Sequence, residues 1–116
     1  MIEEIIVGFL ASRGFTVYGE EPEHPPKTYA VIGRVGGGME NHISRALITV
    51  RSYAPTLLKA AKLNKQIKYA MLYELPELAQ TAGVRLNSDY NNTDPETRRY
   101  RYQAVYDITY YEDYEE

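Results

Sequence analysis

Polar and apolar residues alternate along the C-terminal part of the chain, over residues 98–111. The even positions from 100 to 110 are aromatic or apolar, and the odd positions are mostly polar, with Val105 and Tyr111 as exceptions. This period of two, in residue types that favour strands, predicts a half-buried β-strand roughly 45 Å long. We expect it to be the spine of a sheet. Residues 104–110 should be core, and residues 98–102 should project past the core as a docking edge.

Helical spacing of apolar residues predicts two amphipathic helices. The first covers residues 2–13, and Gly14 is placed to cap its C-terminal end. The second begins near Pro55, a residue type that suits the first helical position, and is ended or kinked by Pro76. Four lysines recur on the polar side of the second helix and are most simply a solvated face: Lys59, Lys62, Lys65 and Lys68.

The remaining segments predict strands and their connections. Strands are expected over residues 15–18, 28–35, 42–53 and 84–90. Three prolines make residues 20–27 an extended connection, and residues 36–41 are expected to form a mobile, glycine-rich hairpin loop. The acidic tail, residues 112–116, is also expected to be mobile.

These elements predict one α+β domain over residues 1–116, in the order α-β-β-β-α-β-β. Short connections between consecutive strands indicate an antiparallel or mixed sheet of four to five strands. Two amphipathic helices can cover one face of such a sheet, which leaves the other face to solvent or to neighbouring molecules.

Composition narrows the class of protein. The chain has 116 residues, of which 44% are hydrophobic and 25% charged, as in ordinary globular domains. No apolar run approaches about 18 residues and the N-terminus lacks a basic region, so neither a membrane span nor a secretion signal is expected. The absence of cysteine excludes disulfides and thiolate metal sites. The net charge of −3 argues against a general nucleic-acid binder.

No motif for catalysis or cofactor binding is found, so we expect a protein that is not an enzyme and needs no cofactor or metal. The glycine run is not followed by the Gly-Lys-Ser/Thr of a phosphate loop. His24 and His42 are the only histidines and lack the spacing of metal ligands. Twelve tyrosines stand out beside two phenylalanines. Tyrosine is favoured on surfaces buried by association, although strand-rich proteins also use it.

The arginines and tyrosines of residues 98–102 have three interpretations. They can stack on single-stranded bases and pair with phosphates. They can dock a partner subunit, because both residue types are enriched at interface hot spots. They can also belong to an ordinary strand whose arginines pair with the acidic tail, Asp89 or Asp94. The protein interface is the favoured interpretation.

Three segments together resemble the small tail-completion, or tail-terminator, proteins of long-tailed bacteriophages and prophages, also described as minor capsid or tail-component proteins. They are the glycine hairpin of residues 31–38, the strand-to-helix junction of residues 48–54 with Ala60 and Ala61 after it, and residues 87–106. The resemblance spans nearly the whole chain in order, and it lies in the order and the length, since no single motif is diagnostic.

The resemblance implies a virion assembly protein that acts by binding alone. It would form a ring, as a hexamer, at the head-proximal end of the tail. Its partners would be other copies of the chain, the tail tube protein and the head–tail connector proteins, with no membrane. DNA would pass through the ring without specific binding. The protein would be made in the bacterial host cytoplasm and reside in the tail or neck of the virion.

Other functions remain open at this point. Within the phage setting, the chain can be a head-completion or stopper protein of the connector. From different classes, it can be a small nucleic-acid-binding module that uses residues 98–102, or an enzyme with an unrecognised site.

A closed ring needs two different patches on each subunit, so we expect two groups of contact residues. The glycine hairpin would supply one group and would order on assembly, and the long strand would supply the other. The predicted interface residues are Arg34, Gly36, Gly37, Gly38, Met39, Arg51, Tyr53, Arg99, Arg101 and Tyr102.

Overall fold

A computed structural model describes residues 1–97 and 99–111 and shows the predicted α+β fold with the predicted order of elements. The acidic tail lies outside the described residues. The elements are α1 (Ile2–Ser12), β1 (Val17–Tyr18), β2 (Tyr29–Glu40), β3 (Ile43–Ala54), α2 (Leu57–Tyr69), β4 (Thr81–Asn91) and β5 (Tyr100–Tyr111).

The five strands form one mixed sheet in the order β1-β2-β3-β5-β4. β1 runs parallel to β2, and the other neighbouring strands are antiparallel. β5 therefore lies inside the sheet, where all twelve of its residues pair with β3 without interruption. Residues 104–110 include the buried core side chains, as predicted. The prediction that residues 98–102 project past the core is wrong for the described part of this segment, because Tyr100 to Tyr102 pair with β3 within the sheet.

Both helices pack on one face of the sheet, as predicted. α1 lies over β1 and β2, whereas α2 lies over β3 and β5. The Thr56 hydroxyl caps α2 by accepting a hydrogen bond from the Lys59 amide at 3.1 Å. The side chains that form the core beneath the helices include Ile2, Ile6, Phe9, Leu10, Ile32, Ile48, Val50, Leu63, Ile67, Met71, Leu75, Tyr106 and Ile108.

The end of the second helix differs from the sequence prediction. α2 continues through a π-helical turn (Ala70–Glu74) into a short 3-10 turn (Leu75–Glu77). Pro76 lies in the first turn of the 3-10 segment, where its missing N–H costs no hydrogen bond. The helical path therefore continues past Pro76 and ends at Glu77. In the described part of the chain, no helix has the length and apolar character needed to cross a membrane.

The glycine run is part of β2, so the predicted loop over residues 36–41 is wrong. Residues 36–38 pair with residues 45–47 of β3, which satisfies their backbone groups. The chain reverses instead at Asn41 and His42, whose φ angles are 55° and 67°. Two successive positive φ angles are typical of the type I′ turn that fits the right-handed twist of a two-residue hairpin.

Both flanks of the sheet are largely open. β1 covers only the start of β2, by pairing with Ala30 and Val31. β4 is the last strand on the other flank, among the residues that the structure describes. Bulges interrupt β2 at Val35, beyond the part that β1 covers, and the edge strand β4 at Ala82 and Asn87.

Candidate subunit-interface surfaces

The sheet face opposite the helices carries an aromatic cluster where β2 begins. Tyr29 and Tyr53 lie directly opposite each other on β2 and β3, and their rings stack with centroids 4.6 Å apart. Tyr18 of β1 packs edge-on against Tyr29 at 6.1 Å. Cross-strand aromatic pairs of this kind stabilise a sheet. Tyr29 and Tyr53 are buried, so other side chains form the outer surface of the cluster.

Arg99 covers this aromatic pair and ties it to the proline-rich connection. Its guanidinium carbon lies 4.7 Å from the centroid of the Tyr53 ring, a cation–π distance. Its Nη2 donates to the Glu21 carboxylate at 3.0 Å and also contacts the Tyr29 hydroxyl, which itself donates to Glu21 at 2.7 Å. We call Glu21, Tyr29, Tyr53 and Arg99 the Arg99 cluster.

The Arg99 cluster holds Glu21 in its charged form. Partial burial alone would raise the pKa of Glu21. The hydrogen bonds from Tyr29 and Arg99, together with the positive charge of Arg99, outweigh burial and hold that pKa below its usual range. The same network raises the pKa of Tyr29, because burial and the carboxylate both disfavour a phenolate. The cluster is therefore a charged, internally paired unit at neutral pH.

Two more predicted residues lie beside the Arg99 cluster. Arg101 donates to the Tyr53 hydroxyl at 3.3 Å and to the Asn92 carbonyl at 2.6 Å. Arg51 lies two residues before Tyr53 on β3, so both side chains are on this face of the sheet. Its Nε is buried without a hydrogen-bond partner among the residues described. The structure thus brings together Arg51, Tyr53, Arg99 and Arg101, as a surface of guanidinium groups over buried rings.

The other predicted residues on β2 run from its middle, at Arg34, to the hairpin tip, at Met39. Met39 is 63% exposed, and the Arg34 Nε donates to the Gly36 carbonyl at 3.1 Å. Met39 pairs with Ser44, which precedes Tyr53 by nine positions on β3, a distance of about 30 Å. We call Arg34, Gly36, Gly37, Gly38 and Met39 the hairpin patch. Arrangement in two distant patches is what a head-to-tail contact requires.

Tyr102 belongs to neither patch, because it lies on the helix face of the sheet. There it lines a cleft of about 410 Å³ between α2 and β4. The cleft floor is polar: the Asn64 amide donates to the Asp89 carboxylate at 2.7 Å, and Lys68 contacts the other Asp89 oxygen. The cleft is lined by Ala61, Asn64, Lys65, Lys68, Tyr69, Leu72, Tyr73, Asp89 and Tyr102.

Sequence reasoning missed this α2–β4 cleft. The available signal was the pair Tyr69 and Tyr73, which lie one helical turn apart on the side that the apolar stripe does not use. The sequence could not indicate the contact between Lys68 and Asp89, because α2 and β4 meet only in the folded protein.

A separate ion pair lies on the open face beside the hairpin patch, since Arg45 pairs with Gly38. The Arg45 Nε and Nη2 donate to the two oxygens of Asp107 at 2.8 and 2.6 Å, and Arg85 lies 3.7 Å away. The hydrogen bonds from Arg45 lower the pKa of Asp107 more than loss of hydration raises it. Bidentate geometry of this type is the strong form of a carboxylate–guanidinium contact.

Asp107 should therefore make stability depend on pH. Because its folded pKa lies below the unfolded value of about 3.9, its contribution is complete above the unfolded pKa. That contribution is lost as pH falls through the folded pKa. We expect the destabilisation of Asp107→Asn, measured by urea unfolding from pH 7 to pH 2, to be largest near neutrality and to shrink in acid. Arg45→Gln should flatten the same profile. A constant difference between wild type and Asp107→Asn would contradict the assignment.

The described residues include no group of three His, Cys, Asp or Glu side chains that could hold a metal ion. The described surfaces carry paired guanidinium groups, exposed apolar side chains and an open sheet face, which are features of contact surfaces. No protein-family model matches the chain, and no curated protein matches it either. Fold and surfaces define a single α+β domain with two separate candidate contact patches.

Proposed function

We propose that this chain is a structural protein of a long-tailed phage or prophage. Copies of it form a ring, as a hexamer, at the head-proximal end of the tail, where the ring ends the tail tube and joins it to the head. The observation that carries this proposal is a pair of unlike patches, the hairpin patch and the Arg99 cluster, with Met39 and Tyr53 about 30 Å apart. Contacts between unlike patches run head to tail and close into rings when the rotation allows.

The form of the hairpin supports this role. Its backbone is already paired through residue 40, so a neighbour meets an extended arm that needs no ordering on contact. The arm presents Met39 and the bulged Val35 to solvent, and exposed apolar side chains of this kind supply contact area in an interface.

The proposed partners follow from the proposed place of the ring. One side meets the tail tube protein and the other meets the head–tail connector proteins. The net charge of −3 suits a passage that DNA crosses without binding. In this proposal the protein acts by binding alone, is made in the bacterial host cytoplasm and ends in the neck of the virion.

The direct test uses tails purified from the phage or prophage that carries the gene. Electron microscopy should show a ring at one end of each tail after the protein is added. Mass measurement across a concentration series reports assembly in solution. A monomer in dilute solution agrees with the proposal if the tail acts as template. Failure to bind tail ends would overturn the proposal.

Reversal of charge in the guanidinium surface should impair assembly. We expect Arg99→Glu with Arg101→Glu to reduce ring formation and tail-end binding at least about tenfold, because like charges then face the Glu21 carboxylate. Circular dichroism must first show that the variant is folded. Arg13→Glu is the matched control, since it breaks only an exposed ion pair with Glu74 on the helix side. A folded double variant that yields tails of normal length joined to heads would exclude this surface from the interface.

A further inference from the structure

Positive charge is concentrated on the second helix, although the chain as a whole carries −3. Residues 57–73 contain four lysines and no acidic residue. Lys59, Lys62 and Lys65 are exposed and make no ion pair within residues 1–97 and 99–111. A solvated helix usually carries charges of both signs, so this row of lysines favours an acidic partner.

The side of the helix next to the α2–β4 cleft is also aromatic. Tyr69 and Tyr73 are 60% and 65% exposed, and their rings touch with centroids 5.1 Å apart. Asn64 on the cleft floor is only 4% exposed, so a ligand meets the rim and the wall of the cleft more than its floor. The cleft thus combines a basic rim with an aromatic wall.

A segment with the complementary chemistry lies in the same chain, just after β1. Residues 20–23 contain three glutamates and Pro22. Glu20 and Glu23 are exposed and are in no ion pair in the part of the chain that the structure describes. Glu21 is held by Tyr29 and Arg99, which fixes the segment on the fold. Carboxylates complement the charge of the lysines, and a proline ring can pack against the tyrosines.

The acidic segment and the cleft lie on different sides of the subunit. Glu21 binds Tyr29 and Arg99 on the open face of the sheet, whereas the cleft lies on the helix face beside β4. A subunit therefore presents the segment and the cleft on two separate surfaces. Such an arrangement suits a contact with a second copy that repeats around a ring.

We propose that residues 20–23 of one subunit dock in the α2–β4 cleft of the next, with Glu23 beside Lys65 and Pro22 against Tyr69 and Tyr73. This inference rests on the proposed ring and adds a second head-to-tail contact to the one between the hairpin patch and the Arg99 cluster. Arg99 contributes to this second contact by positioning the acidic segment through Glu21.

Charge exchange tests this docking. We expect Lys65→Glu and Glu23→Lys each to weaken self-association at least about tenfold, measured by sedimentation velocity across a concentration series, alone and with tail ends present. The combined variant should return to within about threefold of wild type, because the reversed charges again attract. Lys59→Glu and Glu77→Lys are matched controls, as both positions are exposed and neither lines the cleft. Failure of the combined variant to recover, or equal effects in the controls, would overturn the docking.

The absence of native cysteine allows a second, covalent test. A chain carrying both Glu23→Cys and Lys65→Cys should give, on oxidation, a ladder of linked species that ends at the ring number. A chain carrying either substitution alone can give no species larger than a dimer. Oxidised rings that show no ladder would overturn the docking.

The outcomes separate this inference from the proposed function. If rings still cap tails when Lys65→Glu is present, the docking is wrong and the proposed function stands. If wild type neither self-associates nor binds tail ends, both are wrong. If Lys65→Glu lowers retention of duplex DNA and leaves association unchanged, the lysine row serves nucleic acid and the docking is wrong.

Discussion

Replacement of Gly37 by alanine should destabilise the protein by about 3 kcal/mol, because the added methyl group has no space. At this position of β2, φ is +156°, and a Cβ atom would overlap the backbone carbonyl oxygen of Arg45 and the guanidinium of Arg34. The Arg34 side chain can move away, but the Arg45 carbonyl belongs to the paired strand and can move only if the hairpin distorts. Urea unfolding measures the change in free energy.

The neighbouring glycine provides a matched control. A Cβ atom at Gly38 would meet nothing within 4 Å, so Gly38→Ala should change the free energy of unfolding by less than about 0.5 kcal/mol. Gly37→Ala should also weaken ring formation, because the hairpin patch loses its shape. Equal effects of the two substitutions would show that the hairpin tolerates a side chain at position 37.

Loss of the Asp89 carboxylate should be the second large effect. Asp89→Ala leaves both Asn64 and Lys68 without the acceptor that they now share, at the edge of the core. An unpaired buried donor and an unpaired, mostly covered charge together cost about 2–3 kcal/mol, less than at a fully buried site. Thermal and urea unfolding measure the loss.

Two further variants identify the cause of that loss. Asn87→Ala, at an exposed position of the same strand, should have an effect below about 0.5 kcal/mol. Asp89→Leu combined with Asn64→Leu should recover part of the stability, because apolar side chains then replace unpaired polar groups. If the double variant is no more stable than Asp89→Ala, lost packing and not lost pairing explains the effect.

Alternation of residue types was sufficient to predict the central strands. β3 and β5 lie in the middle of the sheet, with one face under the helices and the other open. Their inward positions must therefore be apolar, and Ala46, Ile48 and Val50 are completely buried, as the pattern indicated. Helical spacing worked for α1 for the same reason, because Ile6 and Leu10 face the sheet.

The hairpin could not be read correctly from local pattern, because a glycine has no side chain to show alternation. Residues 36–38 are extended only because β3 pairs with them, and that pairing is a tertiary property. The turn had a weak signal. Asn41 is a residue type that tolerates positive φ, but His42 beside it is not the glycine that usually completes such a turn.

The Arg99 cluster was equally hidden. Glu21 and Arg99 are 78 residues apart, and they meet only because the connection after β1 returns across the open face. β1 has only two residues, which is too short to show the alternation of a strand. Its parallel pairing with β2 therefore could not be predicted from the sequence. The acidic partners considered for the arginines included Asp89, which instead binds Lys68 from the helix side.

The three bulges lie in β2 and β4, whose outer sides are mostly uncovered among the described residues, and the central pair β3 and β5 has none. A straight open edge accepts the backbone of another chain and can template fibrils. Val35, Ala82 and Asn87 each displace the ladder in one of these two strands, which shortens the run of aligned N–H and C=O groups that a foreign strand can meet. The same bulges that interrupt the sheet therefore oppose its growth by edge-to-edge pairing.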